Sequence, residues 1–211
     1  MRRKIDCNWH KYVDLGLPSG LLWATCNVGA NEPWESGLYF SWGNVKGHEK
    51  GSWYYFGISN NGPYASTPGA VLTDNIPVDA GYDAARANLG GSWRMPTKDE
   101  FKELVDNCTN ERTTQNGVYG RLFTSMINGN SVFFPAAGFY YCTSLNYEGV
   151  YGYYWSSSLN SQTYAYGLFY GYFLGSGDVY PQDYSYRFIG YPVRAVLDNP
   201  KDSILIKKLK R

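Results

Sequence analysis

The chain has 211 residues, 19 basic and 18 acidic, for a formal charge of +1; it offers no broad basic field for a phosphate backbone, which disfavours nucleic acid as its main partner. The length suits one domain with a core that needs no staples, since a domain of this size buries roughly 70% of its unfolded surface. Tyr (21) and Gly (24) are the compositional excess, the balance of a loop-rich chain with twisted strands, and a helical bundle is disfavoured.

The N-terminus, MRRKIDCNWHKY, carries positive charge without an apolar run, and no later segment approaches 18 continuous apolar residues. The chain as given is therefore expected to hold neither an export signal nor a membrane span. YVDLGLPSGLLWATCNVGA reads as a hairpin, with strands over Tyr12–Leu17 and Leu21–Val28 joined at Pro18-Ser19-Gly20. ESGLYFSWG, from 35 to 43, is a short apolar run bounded by glycine. Residues 44 to 82 lack any sustained period and read as a long irregular excursion anchored by Trp53, Tyr54, Tyr55 and Phe56.

Two helices are readable. DAARANLGG begins near Asp83 and stops at Gly90-Gly91. WRMPTKDEFKELVDNC offers Thr97 as N-cap and Glu100 three residues later, after which Phe101, Leu104, Val105 and Cys108 mark one buried face. Beyond Cys108 the pattern turns strand-like: GVYGRLFTS, GNSVFFPAAGF, GVYGYYWSSS, TYAYGLFYGYF, GDVYPQDYSYRF and YPVRAV, separated by Gly, Asn, Ser or Pro. Two helices followed by a strand-dense half give an α+β class. The tail DNPKDSILIKKLKR breaks at Pro200 and then sets Ile204, Leu205, Ile206 and Leu209 among charges, the pattern of an edge strand, a subunit contact or a frayed end.

Catalytic signals are sparse. Cys7, Cys26, Cys108 and Cys142 form no C-x-x-C pair; one disulfide stays open, with buried free thiols favoured and no zinc site signalled. His10 and His48 are the only imidazoles, both in loop-like sequence, and no hydrolase, zinc or phosphate-loop motif is present. The acids of NEPWE (31 to 35) read as exposed loop acids rather than a calcium site. Asp99 and Glu100, in the first turn of the second helix, are accounted for by its macrodipole. The expectation is therefore no catalytic residue, no metal and no cofactor.

YVDLGLPSGLLWATCNVGA, GLYFSWG, GGSWRMPTKDEFKELVDNC, TTQNGV, NGNSVFFPAAGF, GYYWSSS and GYPVRAV, in this order, resemble a paralogous domain abundant in Bacteroides and Fibrobacter, related to formylglycine-generating-enzyme-like and C-type-lectin folds. The resemblance covers about residues 10 to 197, leaving 1 to 9 as an N-terminal extension and 198 to 211 as a tail. It implies a calcium-independent C-type lectin fold, with two helices, a small sheet near the termini, short twisted antiparallel sheets and long loops. It also implies that Trp93, Arg94 and Pro96 set central packing, that Trp155 to Ser158 form a core strand, and that Val193 to Val196 close the fold. Arg194, alone in an apolar strand, reads as a buried structural donor rather than a ligand contact.

Part of that family resembles the target proteins of diversity-generating retroelements, in which a reverse transcriptase randomises adenines in a C-terminal coding segment. Tyr164 to Val193 contains no Lys, Glu, Met or Trp, four residues that mutation of the adenines of Asn codons does not produce. Gln182 is unreachable by that route as well and would be a fixed position. A nondiversified paralogue with aromatic strands would also lack Lys and Glu, so both readings stay open, with 159 to 192 as the ligand-binding segment in either.

Within that segment, strand alternation with a glycine-associated bulge turns Ala165, Leu168 and Tyr170 inward. Tyr164, Tyr166, Phe169, Tyr172, Tyr180, Asp183, Tyr184, Tyr186, Phe188 and Tyr191 are the candidate ligand-binding residues. Tyrosine suits the role, with a large amphipathic contact, two torsions to freeze and an adaptable hydroxyl. The expected partner is a protein or glycan on a cell or phage surface, with location at a cell surface or virion through a leader or carrier outside the chain. Two other readings compete: a formylglycine-generating-type oxidase, which requires a copper-binding cysteine pair whereas no cysteine follows Cys142, and a structural adhesin or virion subunit.

Overall fold

The computed structural model describes residues 11 to 52, 74 to 171 and 178 to 198. Trp53 to Phe56 and the tail residues Ile204 to Leu209 lie outside them. The described residues form an α+β arrangement of small antiparallel sheets with two helices.

The first hairpin forms as the turn residues dictate. Strands β1 (Tyr12–Asp14) and β2 (Leu22–Asn27) pair with Val13 opposite Trp23, both shorter than the sequence suggested. β2 then pairs with the last described strand, β12 (Arg194–Leu197), which also takes up the two-residue β3 (Trp93–Arg94), in the order β1-β2-β12-β3. Segments nearly a chain length apart are thus held in one sheet.

Helix α1 (Ala84–Leu89) starts at Asp83, whose carboxylate accepts from Arg86 N, and stops at Gly90 with φ 69°. In helix α2 (Lys98–Asn107) the Thr97 hydroxyl accepts from Glu100 N at 3.2 Å, while the Glu100 carboxylate accepts from Thr97 N at 2.8 Å. Both orphan N–H groups are satisfied reciprocally. The same Glu100 carboxylate receives Arg94 through two bonds, at 2.8 and 2.7 Å, so the cap is tied to β3. Phe101 and Leu104 are buried as the periodicity requires. Cys108 is buried too, but as the first residue of strand β4.

β4 (Cys108–Gln115), β5 (Val118–Ser125) and β6 (Ser131–Pro135) make a three-stranded meander. The β4–β5 turn is Asn116-Gly117, with φ 48° and 79°, the double positive φ of a type I′ hairpin. β7 (Phe139–Tyr141) and β8 (Ser144–Asn146) form a small ribbon. β9 (Gly152–Leu159), β10 (Tyr164–Tyr170) and β11 (Val179–Tyr186) form the sheet that carries the aromatic segment, in the order β11-β10-β9. The run from 35 to 43 makes no strand; Tyr39 and Phe40 form single bridges to His48 and Tyr191.

Two cores meet at the aromatic sheet. One packs Phe40, Trp42, Trp93, Trp155 and Tyr191 with Ala85 of α1; the other packs Trp23, Phe101, Leu104, Phe123, Phe134, Tyr154, Leu168 and Tyr170. Several of their polar atoms reach partners: the Trp155 and Trp42 indoles donate to Phe40 O and Ser156 O, both at 2.8 Å, and the Tyr170 hydroxyl donates to Phe134 O at 2.6 Å, whereas the buried Trp23 indole N–H has no hydrogen-bond partner among the described residues. Buried tyrosines in this sheet therefore do not leave hydroxyls unsatisfied.

Candidate ligand-binding face

Ala165, Leu168 and Tyr170 are buried, but on opposite faces of the strand and without the expected bulge between them in β10: Ala165 packs into the first core, Leu168 and Tyr170 into the second. The register shows where the bulge lies. Tyr164, Ala165, Tyr166 and Gly167 face Tyr186, Ser185, Tyr184 and Asp183 in turn, after which Phe169 faces Tyr180. β10 advances two residues while β11 advances three, so the extra residue sits in β11, where Pro181 and Gln182 lie opposite Leu168, rather than in β10. Directly paired residues share a face. Alternation leaves Tyr184 and Tyr186 beside Tyr164 and Tyr166 and puts Asp183 opposite Gly167, and the bulge brings Tyr180 to the face of Gly167 and Phe169.

The ten candidates accordingly do not make one outward surface. Four form a first face, three a second, and two are core. Tyr172 lies outside the described residues. Phe188 and Tyr191 are corrections: β11 ends at Tyr186, where Ile189 N turns back to Tyr186 O, and the following residues enter the core. Phe188 is 7% exposed and Tyr191 5% exposed, the latter with its ring 4.2 Å from Trp155.

On the first face the Tyr164 and Tyr186 rings lie 4.5 Å apart, Tyr184 meets Tyr164 edge-on at 5.7 Å, and it meets Tyr166 edge-on at 6.4 Å. Tyr184 is 57% exposed and Tyr186 45%. Lys98, at the start of α2, places its ammonium 4.8 Å from the Tyr166 ring centre, within cation–π range. Gln182, in the bulge, donates through Nε2 to Asp99 Oδ1 at 2.8 Å. The edge strand is thereby pinned to the helix N-terminus. Pro181, in the same bulge, lacks a donor, and together they blunt an edge that would otherwise pair with another chain.

The second face is a run of near-parallel rings. Tyr180 stacks on Phe169 (5.8 Å, 15°), Phe169 on Tyr153 (4.7 Å, 29°), and Tyr153 leans on Tyr191 (5.0 Å, 32°), which rests on Trp155. Tyr151 flanks Phe169 edge-on at 5.7 Å, and Tyr147 lies 4.9 Å from Tyr151. Burial pushes the Tyr153 and Tyr191 hydroxyls well above the usual phenol range, with the Asp183 carboxylate adding to both and a hydrogen bond from Ser185 opposing it at Tyr191. Burial also raises Asp183, partly offset by the Tyr184 N–H.

Tyr147, Tyr151 and Tyr153 were not among the candidates. Tyr151 and Tyr153 belong to the strand-like run GVYGYYW, where i and i+2 share a face and Tyr154 points the other way. That alternation was the available signal, masked by the scaffold role the resemblance gives to the neighbouring Trp155.

The remaining polar groups have structural duties. Arg194 is fully buried; it donates to Asn27 Oδ1 at 2.9 Å, Ala24 O at 3.1 Å and Thr25 O at 3.0 Å, and its guanidinium lies 4.5 Å from the Phe134 ring centre. Glu35 accepts from Asn31 N and Glu32 N within its own turn. Cys26, Cys108 and Cys142 are free thiols; Cys108 is buried, whereas the other two are half-buried, contrary to the buried reading. Burial pushes the Cys108 thiol up to about 11. His48 is lowered by burial and by Lys46. Among the described residues no helix is long and apolar enough to cross a membrane.

No family model, no curated protein and no solved structure matches this chain.

Proposed function

We propose that this chain is a noncatalytic ligand-binding module with a calcium-independent C-type lectin fold, of the Bacteroides and Fibrobacter type that its motifs resemble. Its β10–β11 tyrosines engage a protein or glycan on a cell or phage surface. One observation carries the reading. Tyr180, Tyr184 and Tyr186 expose 46%, 57% and 45% of their surface on a strand whose register is fixed by its pairing and whose sheet is backed by two packed cores. Large rings held out of the core by a rigid frame resemble a paratope more than a packing defect, since stability alone does not require them. A contact of ordinary size would bury roughly 1,600 Å² in all, with a few central aromatics dominating.

The thiols favour this reading over the oxidase. A copper-binding pair needs thiolates, and Cys108 is held protonated by burial in the core beside Phe101 and Leu104.

Retroelement diversification of the segment extends the same proposal. Gln182, which adenine mutagenesis of Asn codons cannot create, is tied to Asp99 of the scaffold, whereas Tyr184 and Tyr186, which it can create, project outward. A neighbouring reverse transcriptase and a near-copy of the coding segment differing only at adenines are expected at the locus; their absence sinks diversification without touching the binding role.

The binding role is tested by screening the folded chain against arrays of bacterial surface glycans and envelope proteins, beside a variant carrying Tyr164→Ser, Tyr166→Ser, Tyr184→Ser and Tyr186→Ser. Ligands retained by the parent and lost by the equally folded variant are expected. Identical profiles would contradict the assignment.

A further inference from the structure

We propose that the cleft between β2, the turn that follows it and the end of α1 binds a small polyhydroxylated carboxylate, a sugar acid of the hexuronate kind. The cleft is separate from the tyrosine face, and the inference does not depend on the binding role given to that face.

The cleft has a volume of about 390 Å³, within the range of preformed small-ligand sites. Its walls are braced. Lys11 O accepts from Thr25 N at 3.0 Å and from the Thr25 hydroxyl at 3.3 Å, which fixes the rim residue against β2. Ala30 N donates to Asn27 O at 3.0 Å, and the Glu35 carboxylate accepts from Asn31 N at 2.8 Å, which sets the turn. Opposite them, Asn88 Nδ2 donates to Ala84 O at 2.7 Å and to Val45 O at 3.0 Å, tying the end of α1 to the loop at 45. The space stays open because Ala24, Gly29 and Ala30 contribute little or no side chain to it. Gly29 cannot be enlarged, since its φ is 81° and a Cβ there would collide with the Leu38 side chain.

The lining selects the sign of the ligand. No acid is among the described residues that line the cleft, and Lys11 at its rim is exposed. The ion pairs among the described residues join Lys50 to Glu148, Arg86 to Asp79, Arg94 to Glu100 and Asp198, and Lys102 to Asp106, so none includes Lys11. A second positive charge lies behind the wall. The fully buried Arg194 donates through Nη1 to Ala24 O and Thr25 O, its Nη2 has no hydrogen-bond partner among the described residues, and it too joins none of those ion pairs. Two cations with no carboxylate between them favour one anionic group.

The neutral groups select hydroxyls. Asn88 uses its amide protons on Ala84 O and Val45 O, which leaves its Oδ1 as an acceptor. Thr25 Oγ1, donating to Lys11 O, keeps its lone pairs, and the Asn31 amide offers both a donor and an acceptor. A carboxylate at Lys11 with hydroxyls at these groups uses all of them. A hydrocarbon acid would leave the amides unmatched and find only Ala24, Ala30 and Leu89 as apolar wall. A neutral sugar would leave Lys11 without a counter-charge.

The test is a titration of the full chain with galacturonate up to about 10 mM, a range suited to a single weak contact, followed by the side-chain amide NMR signals of Asn31 and Asn88. Galactose, the neutral counterpart, and the variants Lys11→Ala and Lys11→Arg are run in parallel. Saturable shifts with galacturonate are expected, weakened at least about tenfold with galactose or by Lys11→Ala, and retained by Lys11→Arg. Galacturonate should also slow alkylation of Cys26, which lines the cleft, and leave Cys142, the other half-buried thiol, unprotected. Lys11 is exposed, and an unchanged melting temperature confirms that its variants are folded. No shift at the highest concentration, an equal response to galactose, or undiminished binding by Lys11→Ala would each overturn the cleft assignment. The variant lacking the four face tyrosines should bind galacturonate as the parent does. Loss of binding there, with Lys11→Ala unimpaired, would move the sugar acid to the tyrosine face and overturn the cleft while the binding role stands.

Discussion

Phe169 and Tyr180 stack across the β10–β11 ladder with ring centres 5.8 Å apart and planes 15° from parallel. The contact exists because the extra residue in β11 moves Tyr180 onto the face of Phe169. Through Tyr153 and Tyr191 the stack continues to Trp155, whose indole is fixed by Phe40 O. An exposed ring is thereby braced by a buried one four contacts away, so the same residue type should serve recognition at one end and stability at the other.

That gradient gives the first prediction. Tyr191→Ala removes a buried ring from the Trp155 stack and should cost about 3–5 kcal/mol in denaturant unfolding, as truncation of large core aromatics does. Tyr184→Ser, at an exposed ring, should stay within about 0.5 kcal/mol of the parent. Similar losses at both positions would remove the distinction between core and face.

Arg194 should behave as scaffold. Arg194→Leu leaves Asn27 Oδ1, Ala24 O and Thr25 O without a charged donor and should destabilise by about 3 kcal/mol or more. A stability loss with ligand binding intact at temperatures where the variant is folded separates this from a contact role.

Thr97→Ala breaks one half of the capping box and should cost about 1 kcal/mol. Because Lys98 and Asp99 of the capped turn contact Tyr166 and Gln182, the same change should shift the Tyr166 ring NMR signals; an unmoved Tyr166 would show that the face does not depend on the cap.

Asp183 gives a pH dependence with a definite sign. Burial by the neighbouring rings raises its folded value above the ordinary 3.8, so the protonated form is the better accommodated one, and its stabilising share is lost as pH rises through the folded value. Asp183→Asn should therefore melt slightly higher than the parent at pH 7, with the gain vanishing below about pH 3.8. Because the group is partly exposed, the shift should be a few degrees at most. A lower melting temperature at pH 7 would mean that the carboxylate already has a compensating partner.

Local chemistry was readable wherever one residue type decides the geometry. Thr97 and Glu100 name their capping box, Gly90 its helix end, and Pro18 to Gly20 their turn. The burial of Ala165, Leu168 and Tyr170 was readable, but not as one inward face: Ala165 packs into one core and Leu168 and Tyr170, on the opposite side of the strand, into the other. The division of the outward residues was not readable, because it depends on which strand accepts the extra residue, and Gly167 lies next to the bulge without saying that the insertion belongs to β11. Phe188 and Tyr191 were misplaced for a related reason. Nothing in YSYRFIGYPV marks the end of pairing at Tyr186, and both rings are buried by partners distant in sequence, Tyr191 against Trp155 and Phe188 in the same core with its ring 6.1 Å from Tyr141. β4 went unread because CTNERTTQ is polar throughout; the Asn116-Gly117 dipeptide that closes its hairpin was the usable signal. Tyr172, between β10 and β11, lies outside the described residues.

The central claim is that exposed tyrosines on β11 bind a ligand that the scaffold does not need. The most direct measurement is the dissociation constant of the strongest array ligand for the parent chain and for Tyr184→Ser/Tyr186→Ser, taken with both melting temperatures. Affinity lower by at least about tenfold, or 1.4 kcal/mol, at an unchanged melting temperature is the predicted result. Equal affinity, or weaker binding accompanied by a collapse in melting temperature, would contradict it.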